Sequence, residues 1–333
     1  MMKQRFKEKV IGIFVNTKTP IIFLFSIYLI CALISIQDPT HEKIWEPFPD
    51  TRNYVDQSNN SILSAEFWFP VNSPTLVPRP FTVPLLYKLV GGEPENIIVL
   101  QKAVHFLAGL LLSLSILLFI NTALIKYLTG LALLPVFVWW NILGWSQQLL
   151  SESLSFSLLV IWLSTFLFYM RYRGIAYLIT HLIFLVLLAF SRDSWPMALI
   201  FFYGVHGLFD FLFNRRLVKA TSLMFLCAVL AFFIQQYAVQ RGERHKIPVL
   251  NNIAVRILEH DSYLQFFTER GMPLADTLKK ELAGIDLRDH NNREHLYKIY
   301  NSERYLPLHN WLAQNGRAHT WPFWPPIPPI FFY

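Results

Sequence analysis

The sequence predicts an all-α polytopic membrane protein: about seven transmembrane helices, a large first outer loop and a small, mostly helical outer C-terminal domain. Three observations carry this. Of the 333 residues, 54% are apolar and only 15% are charged, against roughly 25% charged in an ordinary soluble domain. Mean hydropathy is +0.37. Seven stretches rich in Leu, Ile, Phe and Val contain no Asp, Glu, Lys or Arg: 19–37, 103–125, 127–151, 153–170, 174–191, 194–209 and 220–240. An apolar helix needs roughly 20 residues to cross a bilayer core. This composition excludes a disordered chain and argues against a soluble globule. No strand-like alternation marks a barrel, so helices must satisfy the backbone in lipid.

The first stretch has the length of a signal peptide. It runs into Gln37, Asp38 and Pro39, which offer no small-residue cleavage site, and reads as a retained span. The basic residues then set the orientation. Lys3, Arg5, Lys7, Lys9 and Lys18 precede span one; Lys126 joins spans two and three; Arg171 and Arg173 follow span four; Arg215, Arg216 and Lys219 follow span six. Seven spans put all four groups on one side, the cytoplasmic side by the positive-inside rule. The outer face receives the loop 37–96, the turns 146–153 and 191–194, and the C-terminal segment 241–333. The expected organisation is a membrane module over 1–240 and an extracytoplasmic segment over 241–333, with the plasma membrane as location. Cys31 and Cys227 both lie in apolar stretches, which argues against a structural disulfide.

The C-terminal segment carries helical periodicity near 274–283 and 291–305. It ends in WPFWPPIPPIFFY, where the prolines argue against a spanning helix. That ending reads either as an interfacial aromatic segment or as the stump of a longer protein.

Polar residues of chemical interest gather on the outer side. EPFPDTRNYVDQ holds Asp50, Tyr54 and Asp56; PRPFTVPLLYKL holds Arg79; QQLLSESLSF holds Glu152; FSRDSWP holds Arg192 and Asp193. Each has an ordinary reading. Asp56 in a long loop is solvated, Asp50 caps a helix, Glu152 complements a helix dipole, and Arg192 pairs locally with Asp193. Charges beside membrane spans are nevertheless expensive and often functional. His105 and His181 lie within spans, where a lone histidine is more often a hydrogen-bonded structural element than a proton relay. His290, His295, His309 and His319 lack metal-ligand spacing, and no metal ligands are assigned. No phosphate-cradling glycine loop or nucleophile elbow occurs, and the aromatic residues suit lipid and its interface, not nucleic acid.

These motifs, in this order and with this sidedness, resemble the type-C superfamily of integral membrane glycosyltransferases, especially the bacterial relatives of the dolichyl-phosphate-mannose protein mannosyltransferases. PDTRNY (49–54) is similar to the family's Pro-Asp-Ser/Thr-x-x-Tyr pattern after span one, RPFTVPLL (79–86) to its Arg-Pro-x-x-x-Pro-Leu-Leu pattern, and SESL (151–154) to the Ser/Thr-Glu-x-Leu pattern opening span four. Arg192 stands where the family has an Arg after span five, with Asp193 where Pro is common. The resemblance covers about 20–240.

The resemblance implies sugar transfer, within the cell envelope, from a polyprenyl-phosphate donor to a hydroxyl of an acceptor glycan, lipid or protein on the outer side of the membrane. Asp50 is then the general base. Arg79 and Arg192 partner the carrier phosphate, Glu152 orients a sugar hydroxyl or an arginine, and Tyr54, Asp56 and Asp193 line the carrier or substrate site. Metal dependence stays open, because no Asp-x-Asp motif appears; a divalent metal is compatible. The competing class is a lipid-linked-sugar transporter or a non-catalytic membrane scaffold. A transporter requires broken spans and mid-membrane polar groups, and Pro135 is the one strong candidate break.

Overall fold

Helices make up all the regular secondary structure among the described residues. A computed structural model describes residues 19–37, 49–71, 78–138, 140–146, 148–213, 218–242, 244, 261–285, 302–308 and 310–311. Contacts divide the chain into one unit of Met1–Pro47 and Pro80–Gln235 and another of Phe48–Arg79 and Gln236–Tyr333.

Four helices are long and apolar enough to cross a membrane by length and composition: Pro94–Leu117, Ser151–Tyr172, Trp195–Phe213 and Lys219–Arg241. Three shorter apolar helices accompany them at Ile21–Ile36, Ala123–Val138 and Ile175–Ala189. The chain is thus an α-helical protein with the apolar helices of a multi-pass membrane protein. On Trp195–Phe213, Phe201 is 74% exposed and Phe213 72%. In water each would forgo about 1.5–3 kcal/mol of burial; in lipid that cost disappears.

The Ser151–Tyr172 helix is central to the first unit and contributes to two cores. Leu158, Trp162, Phe166 and Tyr169 join Leu185, Leu188, Leu199, Tyr203 and Met224. Val160 and Ile161 join Tyr28, Phe106 and Phe137. Glycines permit close approach in the second core. A Cβ on Gly109 would lie 2.6 Å from the Phe137 ring and 2.9 Å from Tyr28, and one on Gly130 would overlap Leu24. Tyr28 and Ser113 also share a hydrogen bond of 2.9 Å.

Two sequence boundaries shift for identifiable reasons. The second apolar helix begins at Pro94 instead of 103, because Lys102 does not interrupt it. Lys102 is 2% exposed, and its Nζ donates to the Ser35 carbonyl at 2.6 Å, one of the orphan acceptors of a helix end. In the third stretch the described helices are Ala123–Val138, with Pro135 inside, and Trp140–Trp145. Proline removes an intrahelical hydrogen bond, and His105 Nε2 hydrogen-bonds the Phe137 carbonyl near that helix end at 2.9 Å. Lys126, expected in a connection, lies buried in the first turn of Ala123–Val138.

A directional hydrogen-bond chain joins three apolar helices. Thr165 Oγ1 donates to the Trp162 carbonyl at 2.8 Å, so it accepts from His181 Nδ1 at 3.0 Å. A neutral His181 ring then leaves Nε2 to accept the Tyr203 hydroxyl at 2.5 Å, and Tyr203 accepts Trp162 Nε1 at 2.8 Å. Every polar group in the chain is satisfied, which makes His181 a structural tie.

In the second unit the loop segment forms helices Pro49–Asn59 and Ala65–Trp68. The C-terminal part forms Asp261–Thr268, Ala275–Leu282 and a 3-10 turn Glu303–Tyr305. Leu264, Phe267, Met272, Leu278, Leu282, Tyr305 and Leu308 build its core. The helix expected near 274–283 is therefore present as Ala275–Leu282. The one expected over 291–305 falls mostly outside the described residues, as do the basic residues preceding span one, Arg215, Arg216 and the terminal aromatic segment.

Candidate functional site

The sequence-selected residues fall into two groups, one in each unit. In the second unit, Pro49 opens the Pro49–Asn59 helix, where its missing N–H costs nothing. Asp50 occupies the first turn of that helix. At 3.6 residues per turn, positions 50, 53, 54 and 57 share one face. Asn53, Tyr54 and Gln57 on that face are all buried.

Gln57 is the residue that sequence reasoning missed. Its Nε2 donates to the Phe67 carbonyl at 3.0 Å and to the Arg79 carbonyl at 2.9 Å. Its Oε1 accepts the Arg79 backbone N–H at 2.9 Å. The Arg79 guanidinium lies over the Tyr54 ring, 5.4 Å from its centroid, within the range of cation–π attraction. PDTRNY and RPFTVPLL are thus joined through Tyr54 and Arg79. The only advance signal for Gln57 was its spacing from Tyr54; a glutamine in a polar helix otherwise reads as surface. Asp56 stands roughly 200° around the helix from Tyr54. It pairs with Arg52 at 3.4 Å, the arginine exposed and the aspartate partly so, an arrangement worth little.

In the first unit, Glu152 occupies the first turn of Ser151–Tyr172, where the helix dipole favours an acid. It pairs with Arg192 at 3.2 Å, and the Ser151 hydroxyl lies 3.4 Å from its other oxygen. A parallel tie runs beside this ion pair: Ser155 donates to Ser191 at 3.0 Å, and Ser191 donates to the Leu188 carbonyl at 2.8 Å. Asp193 accepts a hydrogen bond from Gln235 Nε2. Gln235 is another buried amide that the sequence did not single out.

The same turn holds the start of the Thr82–Leu89 helix. The Thr82 N–H donates to the Phe190 carbonyl at 3.1 Å, and the Phe81 and Phe190 rings stack at 4.7 Å. Tyr87 reaches the Leu150 carbonyl at 3.4 Å. The Thr82–Leu89 helix, SESL and the turn carrying Arg192 are therefore tied together by direct bonds within this unit.

Among the described residues, no group of three or more His, Cys, Asp or Glu side chains is arranged to hold a metal. His290, His295, His309 and His319 lie outside them. No family model matches the chain, and no curated protein or solved structure matches it either.

Proposed function

We propose that the chain is a membrane glycosyltransferase that moves a sugar from a polyprenyl-phosphate carrier to an acceptor hydroxyl on the outer face of the plasma membrane. In this reading the seven apolar helices all span, the N-terminus is cytoplasmic, and the loop and C-terminal segment lie outside. The single observation that carries the reading is the bonding between motifs chosen from sequence alone. RPFTVPLL reaches the Arg192 turn through Thr82 and Phe190, and SESL reaches it through Glu152 and Arg192.

The chemistry assigns each residue one task. Asp50 accepts the proton of the acceptor hydroxyl as its oxygen bonds to the anomeric carbon. The bond from that carbon to the phosphate oxygen breaks, and the carrier phosphate leaves with the electron pair. The resemblance implies that Arg79 and Arg192, which lie in different units, stabilise the negative charge gathering on the phosphate. Glu152 holds Arg192 in place, and Tyr54 supports Arg79. Asp193, tied to Gln235, shapes the turn that carries Arg192.

The transporter reading draws on one observation, Pro135 inside the Ala123–Val138 helix. Against it, the intramembrane histidines are engaged in structural hydrogen bonds.

The test is turnover of a radiolabelled polyprenyl-phosphate hexose by membranes containing wild type, Arg79→Lys or Arg192→Lys at matched expression. Lysine keeps the charge and loses the planar fork. Turnover by wild type and a loss of roughly tenfold or more in each variant supports the reading. Donor crossing the bilayer intact, without cleavage, replaces it with transport.

A further inference from the structure

We infer that Gln57 and Tyr54 are positioning residues that pre-set the Arg79 guanidinium for a lipid-linked phosphate; this rests on the glycosyltransferase reading and deepens it. The Gln57 side chain is fully buried, and all three of its hydrogen bonds have a fixed sense. Its NH2 faces the carbonyls of Phe67 and Arg79, and its oxygen faces the Arg79 N–H. Rotating the amide by half a turn would set oxygen against two carbonyls and NH2 against a donor. The amide is therefore locked, and it grips Arg79 on both sides of its Cα.

Pro78 and Pro80 flank this residue and are both buried. Each proline fixes its own φ, so the backbone that carries Arg79 has little freedom left. Only side-chain torsions remain to place the guanidinium. Tyr54 restricts those by offering its ring face at 5.4 Å. A long side chain ordered before ligand arrives spares the binding step that entropy. A planar cation held this way suits a phosphate oxyanion. Asp50 stands one helical turn before Tyr54, so the same helix carries the proposed base and the support for the arginine.

The experiment uses the full chain in nanodiscs with farnesyl phosphate as probe and farnesol as its uncharged counterpart. Wild type is expected to bind farnesyl phosphate over farnesol. Tyr54→Leu is expected to weaken farnesyl phosphate binding roughly 2–30-fold, the span of cation–π contributions. Tyr54→Phe keeps the ring and recovers most of that affinity. In an Arg79→Lys background, Tyr54→Leu is expected to cost little more, because the two residues act as one unit. Gln57→Met is expected to raise hydrogen exchange at the Arg79 amide and to weaken the probe in parallel. A wild type that does not prefer farnesyl phosphate overturns the glycosyltransferase reading, and this inference with it. A wild type that binds, with Tyr54→Leu binding equally well or losing the same factor in the Arg79→Lys background, overturns the positioning role alone.

Discussion

Arg192 pairs with Glu152 at 3.2 Å, joining the turn after Ile175–Ala189 to the first turn of Ser151–Tyr172 across 40 residues of sequence. Both side chains are partly exposed, so the pair contributes little to stability. Its consequence is directional: a carboxylate on one side of the guanidinium leaves the remaining N–H donors aimed elsewhere.

Glu152→Gln should therefore leave thermal unfolding in detergent nearly unchanged while raising KM for a polyprenyl-phosphate donor roughly tenfold, the scale of one charge-assisted hydrogen bond. Differential scanning fluorimetry and donor-titrated turnover check the two halves. Lost stability with an unchanged KM would make the pair structural.

The Tyr203 network gives a stability prediction. Tyr203→Phe strands Trp162 Nε1 and His181 Nε2 together, at a cost of roughly 1–3 kcal/mol. Chemical denaturation in mixed micelles should register it. Combining Tyr203→Phe with Trp162→Phe should cost less than the sum of the two, because one orphan donor is then removed.

In the second unit, burial pushes the Tyr305 phenol above its ordinary range, and its hydrogen bond to Glu281 at 2.6 Å pushes it the same way. A folded value above the unfolded value of about 10 means the contribution is complete below pH 10 and fades as pH rises beyond it. Stability of the Ala275–Leu282 region, read by hydrogen exchange, should fall more steeply between about pH 10 and 11 in wild type than in Tyr305→Phe. Parallel curves would remove Tyr305 as the cause.

Orientation is testable apart from chemistry. Ser61→Cys and Glu269→Cys should react with an impermeant maleimide in intact cells, and Arg171→Cys should react only after permeabilisation. The reverse pattern would overturn the placement of the chemistry on the outer face.

The apolar stretches located the helices because burial in lipid demands unbroken apolar runs, and the Thr19–Gln37 helix coincides with the first of them. What failed was the treatment of charge as a boundary. Lys102 sits inside a helix because a carbonyl of another helix end accepts its hydrogen bond, a partner 67 residues away that no local pattern displays. Pro135, the expected break, lies inside the described Ala123–Val138 helix. At the candidate site, the residues with unusual chemistry for their location, Asp50, Arg79, Glu152 and Arg192, stood out in the sequence. Gln57 and Gln235 did not, because an amide becomes informative only when burial turns each of its hydrogen bonds into a requirement.

In the proposed reaction Asp50 is the catalytic base. Asp50→Asn nearly preserves size and still accepts a hydrogen bond, and Asp56→Asn is its control, being paired with Arg52 on the exposed side of the same helix. The deciding measurement is transfer of label from a polyprenyl-phosphate hexose to endogenous acceptors in membranes holding each variant at matched expression. A catalytic Asp50 requires a fall of roughly 10²–10⁴-fold for Asp50→Asn, the usual worth of a general base, with near wild-type transfer for Asp56→Asn. Full activity in Asp50→Asn, or loss confined to Asp56→Asn, would contradict it.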